Sequence, residues 1–463
     1  MDTIDPHLID RLAEKILNLP CDYAEARIAA GLSTTIVLSN DQVDMISAGD
    51  FIGGSVRVLV RGRWGFVSFN DIDSAIPAAD RALTLAGKIL ENRDTGILHA
   101  GPLAVTGTTV METDFRAVPL EQKFELLNSY NSILRNGSTI QTTRAVYRDS
   151  HVIAFYLNSE NSRVRHEKPF CGVSFTAIAR DGSRIQPFSD SVAGYGGYEL
   201  ARAREERAGN VVRTAMDLLR AESVPGGYYD VIIDPRLAGV FIHEAFGHLS
   251  EADFVYENEE LKKHMVLGKT IGPPELNVID DGGIPGLPGY IPADDEGVPP
   301  EKTYLIKNGT LEGRLHSRET AYKMNEPLSG NARALSVMHQ PIVRMTNTYI
   351  DRGSASPESL FESLEDGLYV CDAQGGQTNL EMFTFSAGYA REVKGGKTGK
   401  LVRDIMLSGN VFKTLMSIDG IAGDLNMYGG LGGCGKGGQS PLPVSFGGPH
   451  LLVRNVLIGG RRP

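Results

Sequence analysis

The sequence predicts an α+β chain in two domains. Helices on antiparallel sheet are expected over 1–223, and a β-rich domain carrying a distorted, histidine-bearing helix over 228–463. Three observations carry this. Short segments of alternating polarity in the first half are separated by two-residue turn signals such as Asn40-Asp41 and Arg61-Gly62, the pattern of an antiparallel meander. Strand-like runs recur through the second half. Between them, Val224-Pro225-Gly226-Gly227 is the clearest boundary in the chain.

Residues 7–19 have the periodicity of an amphipathic helix, stopped by Pro20. Strand segments follow at 23–30, 34–39, 42–47, 55–60 and 65–70, then an alanine-rich helix at 73–90. Pro119 opens a further helix to about Arg135, ended near Asn136-Gly137. Strands are expected at 139–147, 151–157 and 172–180, with a turn at Asp181-Gly182, and a helix at 199–222 leads into the boundary. Trp64, Cys171 and Cys371 are expected in the core. The second half opens with a strand at 229–233, and Asp234-Pro235 caps the next helix. Further strands are expected at 303–307, 311–314, 343–350, 367–371 and 450–458. The stretch 267–301 is loop-like and dense in proline and glycine. Its Asp294-Asp295-Glu296 triplet suits a solvated turn better than a hard-cation site.

A formal charge of −11 with no basic concentration argues against nucleic acid as a partner. The Arg461-Arg462 ending is expected to be a solvated tail. No apolar run reaches the roughly 18 residues that span a bilayer, so no membrane is implied. The beginning of the chain lacks a signal peptide's basic start and apolar core, and four scattered cysteines make no disulfide framework. A cytoplasmic location follows as the expectation.

The chemistry concentrates in His243-Glu244-Ala245-Phe246-Gly247-His248. Imidazole is a common zinc ligand, and a Glu beside the first ligand can take a proton from an activated water. The spacing is unusual. Histidines at i and i+4 lie about 40° apart around a helix, whereas i+5 places them about 140° apart. Two ligands so splayed share an ion only if the helix widens by a π-turn or breaks. The expectation is a helix distorted at 246–248, with Gly247 tolerating the unusual backbone. Taken alone, the motif is equally compatible with two unrelated histidines ending a core helix.

A third ligand stands in the glycine-rich segment 429–439. Cys434 sits on a backbone that can approach closely, and Lys436 would favour its thiolate. Two imidazoles and one thiolate leave a fourth position for water, as catalytic zinc requires. Gly430 to Lys436 also fits the spacing of a phosphate-binding loop. Gly437, however, supplies no hydroxyl, and Gln439-Ser440-Pro441 is a poor helix opening.

With both motifs in hand, the chain resembles the TldD/PmbA family of metallopeptidases, in its TldD-type, metal-bearing form. Supporting stretches are Ile279-Asp280-Asp281-Gly282, Asp294-Asp295-Glu296-Gly297, Gly330-Asn331, Arg344-Met345-Thr346-Asn347-Thr348 and Gly375-Gly376-Gln377. One departure is Leu249-Ser250-Glu251-Ala252-Asp253, where the family usually shows a glycine-rich acidic segment. The resemblance implies one Zn2+ per active subunit held by His243, His248 and Cys434, with Glu244 as catalytic base. It implies hydrolysis of peptides or unfolded polypeptides, by a homodimer or a heterodimer with a metal-lacking paralogue. Arg344, Asn347 and His316 are candidate donors to the transition state, and an extended peptide would bind as an added strand. Two rival readings remain: a non-catalytic zinc-binding subunit of a dimeric complex, and a small-molecule amidase.

Overall fold

The computed structural model describes residues 4–88 and 95–459. The last two residues of the helix expected at 73–90 and the Arg461-Arg462 tail lie outside them. The first half is a seven-stranded sheet running Arg63–Phe69, Gln42–Val60, Tyr23–Ser39, Ile140–Asn158, Arg163–Asp181 and Ala104–Gly107, with Arg184–Tyr195 also on Arg163–Asp181. All pairings are antiparallel except that of Ala104–Gly107. The turn pairs behave as their residues demand: Asn40, Arg61, Gly62 and Gly182 all have positive φ.

The strands are longer than expected. The segments 23–30 and 34–39 are one strand, as are 42–47 with 55–60 and 139–147 with 151–157. Gly31 is not a break, because a Cβ there would press on the carbonyl of His151 and the ring of Phe51; glycine lets neighbouring chains close up. Conversely, the helix expected at 199–222 starts later. Tyr198–Leu200 is a single 3-10 turn, Ala203 has positive φ, and the helix proper is Glu205–Arg220.

One face of the sheet is apolar. Pro6–Leu17 and Ala75–Lys88 cover one end through Leu12, Ile16, Ala78 and Ala82 against Ile28 and Val56. Leu120–Arg135 and Glu205–Arg220 cover the other through Leu127, Val211 and Leu218 against Tyr147 and Phe175. Cys171 and Cys371 are buried, whereas Trp64 is only partly so, its indole N–H donating to Glu319.

In the second half, Gly367–Asn379, Gly227–Ile233, Leu451–Gly459, Met406–Asn410 and Met382–Lys394 pair in that order. Gly367–Asn379 also pairs with Met382–Lys394, so the ring closes on itself. Strands such as Met382–Lys394 and Lys397–Arg403 go beyond the runs expected from alternation. A six-stranded sheet orders Thr310–Leu311, Lys302–Lys307, Val278–Asp281, Asn347–Ile350, Ser445–Gly448 and Asn426–Tyr428. The helix Pro235–Phe241 packs on this sheet at Gly239, where a Cβ would stand 2.7 Å from the amide nitrogen of Gly447. Among the described residues no helix is long and apolar enough to cross a membrane.

The acidic triplet is not a solvated turn. Asp294 and Glu296 are buried, Asp294 accepting from the amides of Glu296, Val298 and Ala332. Glu296 meets the Arg57 guanidinium at 2.6 Å and the Arg318 amide at 2.7 Å. The loop stretch 267–301 is thereby tied into the interior, since buried carboxylates persist only when paired or hydrogen-bonded.

Candidate metal centre

Asp234 accepts from the Leu237 amide at 2.7 Å and Pro235 opens the helix, as the sequence indicates. The α-helix ends at Phe241 and widens into a π-turn over Ile242–Gly247, where the His248 N–H donates to the carbonyl of His243, five residues back. A residue at i+5 is thereby carried onto the face that i+4 would occupy in a regular helix. The His243 and His248 rings stand 5.4 Å apart, centroid to centroid, and nearly perpendicular. The distortion thus begins ahead of the expected 246–248. Gly247 has ordinary helical angles (φ −56°, ψ −49°), so backbone tolerance is not its role. A Cβ there would instead run into Met345 Sδ; the glycine makes room for a neighbour.

Cys434 opens the hairpin Cys434–Lys436 with Gln439–Leu442 and comes to the two imidazoles. Its Sγ lies 3.3 Å from His248 Nε2, and the ligand atoms of His243, His248 and Cys434 are all within 4.8 Å of one another. Burial raises the thiol's pKa, but hydrogen bonds and charge from His243 and His248 outweigh it and bring the thiol down to about 5. Burial works against protonation of both rings, yet Cys434 raises His243, and Glu251 and Cys434 hold His248 well above its ordinary range. Lys436 is not the activator: its ammonium binds Asp253 at 2.7 Å, Glu251 at 3.0 Å and the Val343 carbonyl at 2.9 Å.

A thiolate and two imidazoles in a buried cluster are the donor types a zinc ion takes. His243 Nδ1 fits the same reading, being buried with no hydrogen-bond partner among the described residues. Glu251 is wholly buried and accepts from His248 Nδ1 at 3.0 Å, which turns Nε2 toward the sulfur. Sequence reasoning passed over this role. Its signal was present in the acids that survive in the departure segment: Glu251 orients the histidine, and Asp253 takes Lys436.

Glu244 is about one-third exposed, with Oε2 3.8 Å from His248 Nε2. It shares a cavity of about 220 Å³ with His243, Cys434, Tyr428 and the glycines before the cysteine. Its carbonyl accepts from the Thr378 hydroxyl at 2.8 Å, which ties the turn to the strand Gly367–Asn379.

Three other expected residues are structural. Arg344 is fully buried and donates to the carbonyls of Cys434 at 2.7 Å and Gln439 at 3.1 Å, clamping the hairpin. Asn347 bonds the Asp281 carbonyl and the Gly289 amide, and His316 bonds Glu326 and Thr320. None of the three lines the cavity. The phosphate-loop resemblance has no helix behind it, since Lys436 leads into a second strand.

Models of the PmbA/TldA metallopeptidase family match three stretches: domain 1 at 24–86, the central domain at 113–221 and the C-terminal domain at 226–460. The chain belongs to the PmbA/TldD metallopeptidase family. A Synechocystis sp. metalloprotease is 40% identical over 98% of this chain and 97% of its own length. A zinc metalloprotease TldD homolog of Saccharolobus solfataricus is 28% identical over 96% and 98%. The crystal structure of TldE from Thermococcus kodakarensis shares the fold, with a TM-score of 0.74 at 16% identity over 98% and 99%.

Proposed function

We propose that the chain is a zinc-dependent peptidase in which His243, His248 and Cys434 hold one ion and Glu244 is the general base. The observation that carries this is the convergence of three zinc-type donors beside a carboxylate that faces an open cavity. Zinc, when bound, supplies Lewis acidity that polarises a carbonyl and makes water more acidic. Glu244 takes the attacking water's proton and delivers it to the leaving amine, a role worth roughly 10²- to 10⁴-fold. Glu251 keeps the His248 ring in its orientation, and Arg344 fixes the backbone of Cys434. A purely structural zinc needs no Glu244 at a cavity wall, which favours hydrolysis over an assembly role.

Peptides or unfolded polypeptides are the proposed substrates. Asn426–Tyr428 ends the six-stranded sheet, and Tyr428 lines the cavity beside Glu244. An extended peptide can add there as a strand, reading backbone more than side chains. The working unit is a dimer, either of two copies or with a metal-lacking relative, acting in the cytosol. The division into 1–223 and 228–463 belongs to the same reading, with all four site residues in the second part.

The test is Glu244→Gln. Zinc content measured by mass spectrometry should stay at the wild-type level, while turnover of unstructured peptides falls about 10²- to 10⁴-fold. Retained turnover would overturn the base assignment.

A further inference from the structure

The polar face of the first sheet is turned toward the second half, and the two flank a partly open chamber of about 320 Å³. Its floor is strand. Arg148 and Val152 alternate along Ile140–Asn158, and Lys168 on Arg163–Asp181 is the register partner of Val152. Its roof comes from the second half and includes Arg333, Gly432 and Leu442. Gly432 also lines the cavity of His243, Glu244 and Cys434, and Leu442 is the register partner of Cys434. The chamber is therefore the neighbour of the candidate centre, separated from it by the glycine loop.

Its charges do not balance internally. Among the described residues, the side chains of Arg148 and Lys168 make no hydrogen bond or ion pair. Arg333 is only 4% exposed and spends its N–H groups on the carbonyls of Met345 and Pro443, so its charge has no bonded carboxylate. The two acids in the wall are already engaged. Asp294 accepts from three backbone amides, and Asp295 accepts from the Ala334 amide and faces Arg27 at 3.5 Å. Burial pushes the Lys168 ammonium below its ordinary range; Asp295 pulls it back, and Arg333 and Arg27 push it further down. Cations gathered in a partly closed cleft favour an incoming anion, and a half-buried ammonium with no bonded acceptor gains most from one. Phe51, Phe170 and Tyr195 complete the lining with apolar surface, as in a site shaped for an organic ligand.

We propose that this chamber is a substrate subsite that takes a peptide carboxylate on Lys168 and Arg148, with Arg333 adding charge from the roof. The inference rests on the peptidase reading above and adds to it the substrate class: peptides presenting a carboxylate, either the C-terminal group or an Asp or Glu side chain. A C-terminal carboxylate held one loop away from Glu244 would make the chain release short fragments from the end of its substrates. A side-chain carboxylate would make it prefer an acidic residue near the cleaved bond.

The experiment uses the full chain with Glu244→Gln, so that peptides bind without turnover. Fluorescence anisotropy is read for one N-terminally labelled, unstructured peptide in three forms: free acid, C-terminal amide, and amide with one internal Glu. One or both carboxylate-bearing forms should bind about ten-fold more tightly than the plain amide. Lys168→Met should erase that gap and Lys168→Arg should keep part of it. Arg148→Gln, at a half-buried position, should narrow it and serves as the variant of record should Lys168→Met not fold. Tight binding of the free acid alone assigns the terminus; tight binding of the Glu-bearing amide assigns the side chain. Equal binding of all three forms overturns the proposal, as does a gap that survives Lys168→Met together with Arg148→Gln. The peptidase reading fails separately, if zinc-loaded wild type cleaves none of the three peptides.

Discussion

Two buried polar clusters lie in this molecule, and they are built on opposite plans. Between the halves, every carboxylate of the Glu25, Glu296 and Asp294 group is met by protein. Arg57 bonds both glutamates, Tyr23 and the Arg318 amide take the remaining oxygens, and backbone amides satisfy Asp294. At His243, His248 and Cys434 the polar atoms instead converge on one another, and His243 Nδ1 has no partner among the described residues. Burial and charge are common to both clusters. What distinguishes them is where the valences point: outward into the fold in one, inward to a common centre in the other. The first arrangement is architecture, and the second has the donor geometry that the proposed zinc site requires.

That contrast can be broken by mutation. The largest effect is expected at the centre: His243→Ala and Cys434→Ala should each abolish stoichiometric zinc in the purified protein. Loss in one and retention in the other would dissolve the common centre. Next in size, Arg57→Met should leave Glu25 and Glu296 buried without their cation and lower stability by about 3–5 kcal/mol in urea unfolding, with zinc content unchanged. A smaller effect joins the two plans. Glu251→Gln keeps the shape but weakens the hold on His248, and zinc affinity measured by chelator competition should fall about 10- to 100-fold.

The last effect is absent at neutral pH and concerns His166, buried beside Tyr195 and Tyr290. Burial, with Lys168 and Arg333 nearby, lowers its pKa from 6.5 to about 2. The unfolded chain binds a proton below pH 6.5 that the folded chain refuses, so this contribution is present above 6.5 and drains away as pH falls. His166→Phe should therefore show a shallower loss of urea midpoint between pH 6.5 and about 4 than the wild type.

Much of this was legible in the sequence because local chemistry is legible. Turn pairs at Asn40-Asp41, Arg61-Gly62 and Asp181-Gly182 mark their turns through positive φ, and the i+5 spacing of the histidines calls for a widened or broken helix if both are to face one ion; the helix is widened. Other features depend on what a residue meets across the fold. The segments 23–30 and 34–39 read as two strands, whereas Gly31 between them is a contact point within one; Gly247 is expected to tolerate a distorted backbone and is instead clearance for Met345. Lys436 stands two residues from the thiol in sequence, yet its ammonium is held by Glu251 and Asp253. The Asp294-Asp295-Glu296 triplet suggested solvent because spacing cannot reveal that Arg57, on a strand of the first sheet, waits for it. Arg344 suggested a substrate donor for the same reason: a guanidinium's burial is decided by residues far from it in sequence.

Arg344 grips two carbonyls, one at each side of the hairpin that presents Cys434. The thiol is thus stationed by the scaffold itself, independently of any ion. The socket does not need the ion in order to form: a chelator should lower the melting temperature only by the binding free energy lost, leaving one cooperative transition, and added zinc should restore it without a refolding lag. In small zinc modules the ion is a keystone; under the reading proposed above it would be a removable tool in a socket the fold already holds.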